Sequence, residues 1–155
     1  MILVAKKKAA YLGIAAIFAI GFLYQTHAVI CVTDSLERIN GMIVWRTPYV
    51  KRGDLAYIRG HKNLLFKKDF VKRVVGLPGD RISLKEDSLW VANRYIGKLL
   101  SRTQYNFPLT PLAERVVPPG YIFVAGDHER SFDSRYKEFG LVRQSEVWGK
   151  GVILW

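Results

Sequence analysis

A lysine held inside an apolar strand must find a partner or give up its proton, and a lysine without its proton is a general base. Lys72 has that setting, in the run Lys72-Arg73-Val74-Val75-Gly76-Leu77-Pro78-Gly79-Asp80. Side chains alternate along a strand, so Phe70, Lys72 and Val74 share one apolar face. Arg73 points to the other face and cannot usefully deprotonate, which makes it a structural or salt-bridging residue. Taken alone, a lysine of this kind is more often one that snorkels to water from an edge strand.

A lysine base needs a hydroxyl to activate. Among the serines, Ser35 stands out by position, in Thr33-Asp34-Ser35-Leu36 just after a long apolar segment. A nucleophile there would sit close to a membrane surface. The Thr33 hydroxyl and the Ser35 backbone N–H could stabilise a developing oxyanion. The same residues also suit a polar cap where the chain leaves a bilayer. A third cluster, Gly126-Asp127-His128-Glu129-Arg130-Ser131-Phe132-Asp133-Ser134-Arg135, follows an apolar strand. Ser131 and Ser134 could hydrogen-bond a neutral lysine amine, and Asp133 and Arg135 could form a bidentate pair that stiffens the loop. Asp127, His128 and Ser131 contain the ingredients of a serine triad, but triads need convergence in space rather than adjacency in sequence. The other histidines, His27 and His61, are distant in sequence and no ligand spacing fits, so neither a metal nor a cofactor is expected.

The elements that must position these residues follow from length and patterning. A chain of 155 residues allows one domain of ordinary size. Its formal net charge of +11 suits contact with anionic surfaces, either lipid headgroups or nucleic acid. The single cysteine, Cys31, excludes an intramolecular disulfide and any multi-cysteine metal site. Ala9 to Val32 is apolar apart from Gln25-Thr26-His27, and Lys6, Lys7 and Lys8 precede it. It reads as a retained transmembrane anchor with the N-terminus cytoplasmic, Tyr11 and Tyr24 lying near the two interfaces. A cleavable signal peptide is the competitor, with Thr26-His27-Ala28 as a poor cleavage site. The expected organisation is a basic tail over 1–8, an anchor over 9–32 and an extracytoplasmic domain over 33–155.

After Val32 the chain reads as β-rich. Strands are expected at Met42–Trp45, Leu55–Ile58, Phe70–Val75, Ile82–Leu84, Leu89–Val91, Tyr95–Ile96, Tyr121–Ala125 and Val152–Trp155. Turns fall at Gly53-Asp54, Gly76 to Asp80, Ala92-Asn93, Pro118-Pro119-Gly120 and Gly126-Asp127. Ser101 to Glu114 has no clear period and reads as a long loop of the kind that often serves function. The expected fold is mainly β: a compact, partly closed antiparallel domain preceded by one transmembrane helix.

Together these clusters resemble the type I signal peptidase family, membrane-anchored Ser/Lys endopeptidases. The resemblance rests on the Lys72–Asp80 run, on Gly126-Asp127 with Ser131-Phe132-Asp133-Ser134-Arg135, on Arg52-Gly53-Asp54-Leu55, and on Pro119-Gly120-Tyr121-Ile122-Phe123-Val124. It covers nearly the whole exported chain, in the family's order. It implies Ser35 as nucleophile, Lys72 as general base, Thr33 as side-chain oxyanion donor, Ser131 as the residue orienting Lys72, and Asp133 with Arg135 as a supporting ion pair. Where the family has proline shortly after the serine, this chain has Leu36-Glu37-Arg38, and where it has asparagine after Gly-Asp, this chain has His128.

The resemblance implies a single-pass bacterial inner-membrane enzyme that cleaves leader peptides from exported preproteins after small residues. The short stretch from Asp80 to Gly126 is similar to propilin-processing peptidases of conjugative plasmids. A propilin substrate, cleaved and cyclised, and partners in a conjugation or secretion apparatus are therefore the alternative. A non-catalytic assembly factor of such an apparatus is the rival from another class. A nucleic-acid binder fits poorly, because the chain has an anchor and no nucleic-acid motif.

Overall fold

The computed structural model describes residues 2–30, 36, 41–62 and 67–153, with side-chain surroundings for 11–24, 36, 42–61 and 68–153. A helix, α1 (Ile2–Gln25), is followed directly by strand β1 (Thr26–Ile30). The remaining strands are β2 (Gly41–Arg46), β3 (Leu55–Lys62), β4 (Lys67–Gly76), β5 (Arg81–Lys85), β6 (Ser88–Val91), β7 (Arg94–Lys98), β8 (Arg115–Val116), β9 (Tyr121–Ala125), β10 (Val142–Arg143) and β11 (Val147–Ile153). A 3₁₀ turn over Gln144–Glu146 leads into β11. The strands form a seven-stranded sheet in the order β1-β2-β11-β3-β4-β9-β10 and a four-stranded sheet in the order β7-β6-β5-β8.

Every pairing is antiparallel, as expected for a mainly β chain. The expected closure is corrected: both sheets are open, each with two different end strands. The expected helical span to Val32 is corrected as well. The helix stops at Gln25, where the polar trio begins, and Thr26 to Ile30 instead pair with Trp45 to Gly41. Among the described residues no helix is long and apolar enough to cross a membrane. The last strand starts five residues earlier than expected, because Gly149 and Gly151 disguise it. A Cβ at Gly149 would stand 2.5 Å from the Trp45 carbonyl oxygen, and one at Gly151 would stand 2.5 Å from Met42 Sδ. Glycine marks close backbone approach at both positions.

Strand β9 lies between two cores. Ile122 and Val124 pack with Ala56, Ile58 and Val74 on one face, while Phe123 packs with Ile82, Leu89 and Val91 on the other. Burial on both faces explains why this strand reads as an unbroken apolar run. The Leu77–Asp80 turn between β4 and β5 closes with the Asp80 N–H donating to the Leu77 carbonyl at 3.0 Å. Proline at its second position and Gly79 at φ +91° at its third are what a type II turn requires.

Candidate active site

Strand β4 places the lysine. Its register with β3 sets Lys72 opposite Ala56, between Phe70 opposite Ile58 and the core residue Val74. Lys72 is only 3% exposed, so its setting is a strand interior rather than a snorkelling edge. Its Nζ donates to Ser131 Oγ at 2.7 Å. Burial lowers the Lys72 ammonium from the ordinary 10.5 to about 8; the charges of Asp133 and Asp127 oppose the fall and that of Arg135 adds to it.

The segment after β9 places the partner. Asp133 is fully buried and accepts the Gly126 N–H at 2.9 Å, which draws the loop back on itself. Arg135 grips Asp133 through two bonds, Nε to Oδ1 at 2.9 Å and Nη2 to Oδ2 at 3.0 Å. Its Nη2 also donates to the Ser131 carbonyl at 3.0 Å. The guanidinium thus clamps both ends of the stretch that carries Ser131. Buried charges survive when paired and fully hydrogen-bonded, and this pair meets both conditions. Ser134 does not reach the lysine. Its Oγ accepts the Val124 N–H at 3.2 Å, and its own N–H donates to the Val124 carbonyl at 3.1 Å, which ties the loop to β9.

The expected long loop after β7 backs this arrangement. The Leu112 N–H donates to the Arg135 carbonyl and the Lys137 N–H to the Thr110 carbonyl, each at 2.8 Å. Tyr136, 1% exposed, accepts the Leu100 N–H at 3.1 Å. Arg73, on the opposite face of β4, binds Asp127 through Nε and Nη2 at 2.9 and 2.8 Å, so Asp127 is occupied as an ion-pair partner. Arg52 hydrogen-bonds the Val75 carbonyl and reaches Asp80 at 2.6 Å. The Gly53 N–H donates to the Val74 carbonyl at 2.8 Å. The Arg52-Gly53-Asp54 and Lys72–Asp80 motifs, 20 residues apart from Arg52 to Lys72, are therefore one structural unit. Among the described residues no group of three or more His, Cys, Asp or Glu side chains could hold a metal ion.

The structure brings together Lys72, Ser131, Asp133 and Arg135. The expected nucleophile Ser35 and oxyanion donor Thr33 lie outside the described residues. Sequence reasoning missed Gly97, on β7. A Cβ there would stand 2.5 Å from Arg135 Nη1, so the strand must be bare where the guanidinium passes. A glycine inside an otherwise ordinary strand was the available signal.

The chain is similar to known proteins over most of its length. The family described as "Signal peptidase, peptidase S26" matches residues 4–155. Signal peptidase I of Bacillus caldolyticus is 39% identical over 132 residues, which cover 75% of this chain and 69% of that protein. Signal peptidase IB of Staphylococcus aureus (strain COL) is 31% identical over 131 residues, 74% of this chain and 65% of that protein. The chain thus spans about two thirds of the length of these relatives. A crystal structure of a signal peptidase I from Enterococcus faecalis V583 aligns with 69% of this chain and 97% of its own, at 29% identity and a TM-score of 0.46. By its motifs, and by a family match that runs over nearly its whole length, this chain belongs to the signal peptidase family, peptidase S26.

Proposed function

We propose that this chain is a membrane-bound serine endopeptidase that cuts leader peptides from exported preproteins with a Ser35/Lys72 dyad. The reaction class comes from the family. The observation that carries the dyad is Lys72, buried and held at 2.7 Å by a serine whose loop is locked by the Asp133–Arg135 pair. A lysine lowered to about 8 holds a useful neutral fraction near neutral pH, where an ordinary one holds almost none.

In the proposed mechanism, neutral Lys72 removes the Ser35 hydroxyl proton as Ser35 Oγ attacks the scissile carbonyl. The Thr33 hydroxyl and the Ser35 N–H donate to the oxyanion. The Lys72 ammonium then gives its proton to the departing amine. Water enters, and Lys72 takes one of its protons as the water oxygen attacks the ester carbonyl. The ammonium returns that proton to Ser35 Oγ as the acyl–oxygen bond breaks. Ser131 and the Asp133–Arg135 pair hold the amine in line throughout. The names of the relatives, signal peptidases I and IB, favour cleavage of leader peptides over dedicated propilin maturation.

The same reading places the enzyme at the membrane, with α1 as the attachment and the β domain on the extracytoplasmic side. Apolar side chains from Tyr11 to Tyr24 are exposed along the helix, and three lysines precede them. Cleavage of an exported preprotein by Ser35→Ala and Lys72→Ala variants tests the dyad. Each is expected to lose activity by about 10²–10⁴-fold, and full activity in either sinks the assignment.

A further inference from the structure

One buried titratable side chain plays no part in this mechanism. His61 is 3% exposed, near the end of β3. The pairing of β3 with β4 shifts register between Ile58 and His61, and Gly60 there adopts φ +59°. Without that bulge, the alternation Ala56, Ile58 would continue inward at Gly60 and leave His61 facing out. The bulge turns His61 inward, and bulges that re-aim one side chain are common beside active sites.

His61 makes two hydrogen bonds once it is inside. Its Nδ1 lies 2.9 Å from Glu146 Oε2 and its Nε2 lies 3.0 Å from the Phe139 carbonyl oxygen. Both partners are oxygen acceptors, so whichever ring nitrogen carries a proton has a partner to donate it to. The imidazole also packs against the Phe139 ring, with centroids 4.7 Å apart and the planes tilted by 39°. Phe139 in turn touches Phe70 at 5.2 Å and Phe132 at 5.4 Å, both edge to face. Phe70 is two residues before Lys72 on the same face of β4, and Phe132 directly follows Ser131. Phe139 is thus a wedge between the strand that carries the lysine and the loop that carries its partner, and His61 grips the wedge by ring and by carbonyl.

We propose that His61 is a positioning residue of the peptidase site: through Phe139 it sets the spacing of Phe70 and Phe132 and so holds Lys72 against Ser131. The proposal rests on Lys72 being the base. A displacement of the order of 1 Å in such a support costs up to about 100-fold in rate, while a support that does not touch substrate leaves binding nearly untouched.

The test uses the full chain in detergent micelles with a leader-peptide substrate. His61→Phe keeps an aromatic ring and removes both ring nitrogens and their hydrogen bonds. Glu146→Gln keeps the ring and its packing and removes one partner's charge. Phe139→Leu removes the wedge. Each is measured for kcat, KM and thermal midpoint, and the pH titration of Lys72 is followed by ¹³Cε NMR of lysine-labelled protein. The expected result is a kcat lowered about tenfold with KM changed less than about twofold, and a Lys72 titration displaced from the wild-type one. The His61→Phe/Phe139→Leu double variant is expected to fall no further than the worse single, because the two act through one contact.

A lowered thermal midpoint with unchanged kcat and unchanged Lys72 titration means a merely structural role and overturns the proposal. If His61→Phe does not fold, Glu146→Gln decides by the same readouts, and wild-type values there overturn it. Cleavage that survives in Lys72→Ala refutes the dyad itself. A dead Lys72→Ala beside wild-type His61→Phe and Glu146→Gln refutes only the role of His61.

Discussion

At the scale of single residues, Lys72, the proposed base, is expected to set how the enzyme responds to pH. Its ammonium is lowered to about 8 chiefly by burial, so the neutral base is roughly a tenth of the population one pH unit below that value. The acid limb of kcat/KM is therefore expected to bend near pH 8, and a limb bending near pH 6 would assign it to another group. Lys72→Arg keeps the charge but cannot deprotonate, so it is expected to be as inactive as Lys72→Ala in the same assay. The shift also has a consequence for stability. The folded value lies below the ordinary 10.5, so between about 8 and 10.5 the unfolded chain holds more protons and stability from this group rises with pH. Below about 8 the cost of burying the charge is present in full. Lys72→Met removes that cost and is expected to be more stable than wild type at pH 7 by about 1–3 kcal/mol, with the gap narrowing toward pH 10 in denaturant titrations at each pH.

At the scale of elements, the loop after β9 keeps its shape through one buried ion pair and one bare strand. Arg135 is 1% exposed and Asp133 is 0% exposed, so removing one partner leaves a charge stranded. Asp133→Ala is expected to cost about 3–5 kcal/mol of stability and to lose peptidase activity with it, measured by thermal unfolding and leader-peptide cleavage. Gly97→Ala probes the same clamp from the other side. The added Cβ meets Arg135 Nη1 at 2.5 Å, and a guanidinium that moves away must strain or give up its bonds to Asp133, Ser131 and the Lys98 carbonyl. A loss of about 1–3 kcal/mol is expected, whereas a neutral Gly97→Ala would show that the clamp is loose. The Lys72 strand is braced from its other end by Arg52 and the Gly53 N–H, so the lysine is set in a strand fixed along its length rather than at a free edge.

At the scale of the whole molecule, the open seven-stranded sheet brings residues far apart in sequence to one place, and α1 leads into it without a linker. Helix and sheet touch where Phe22 meets Trp45, with ring centroids 6.1 Å apart, and where Arg46 lies over the Tyr24 ring. If α1 attaches the enzyme to the membrane, the full chain is expected to stay with the membrane fraction after an alkaline carbonate wash, and a chain lacking 1–25 is expected to be released. Much of this organisation was legible beforehand. Period-two burial and turn chemistry are local, so most of the strands, the type II turn at Leu77–Asp80 and the reversal at Ala92-Asn93 could be read from neighbours in sequence. So could the pairing of Asp133 with Arg135, two residues apart. What the sequence did not disclose depends on distant backbone: the open sheets, the strand at Thr26–Ile30, the diversion of Ser134 to β9, the need for glycine at 97, and the inward turn of His61. By itself the sequence determined which residue types could perform the chemistry and the order of their motifs. Only the tertiary structure decided that Lys72 is buried and partnered by Ser131, because strand register and the folding-back of one loop, neither a local property, set the solvent and the charges around that amine.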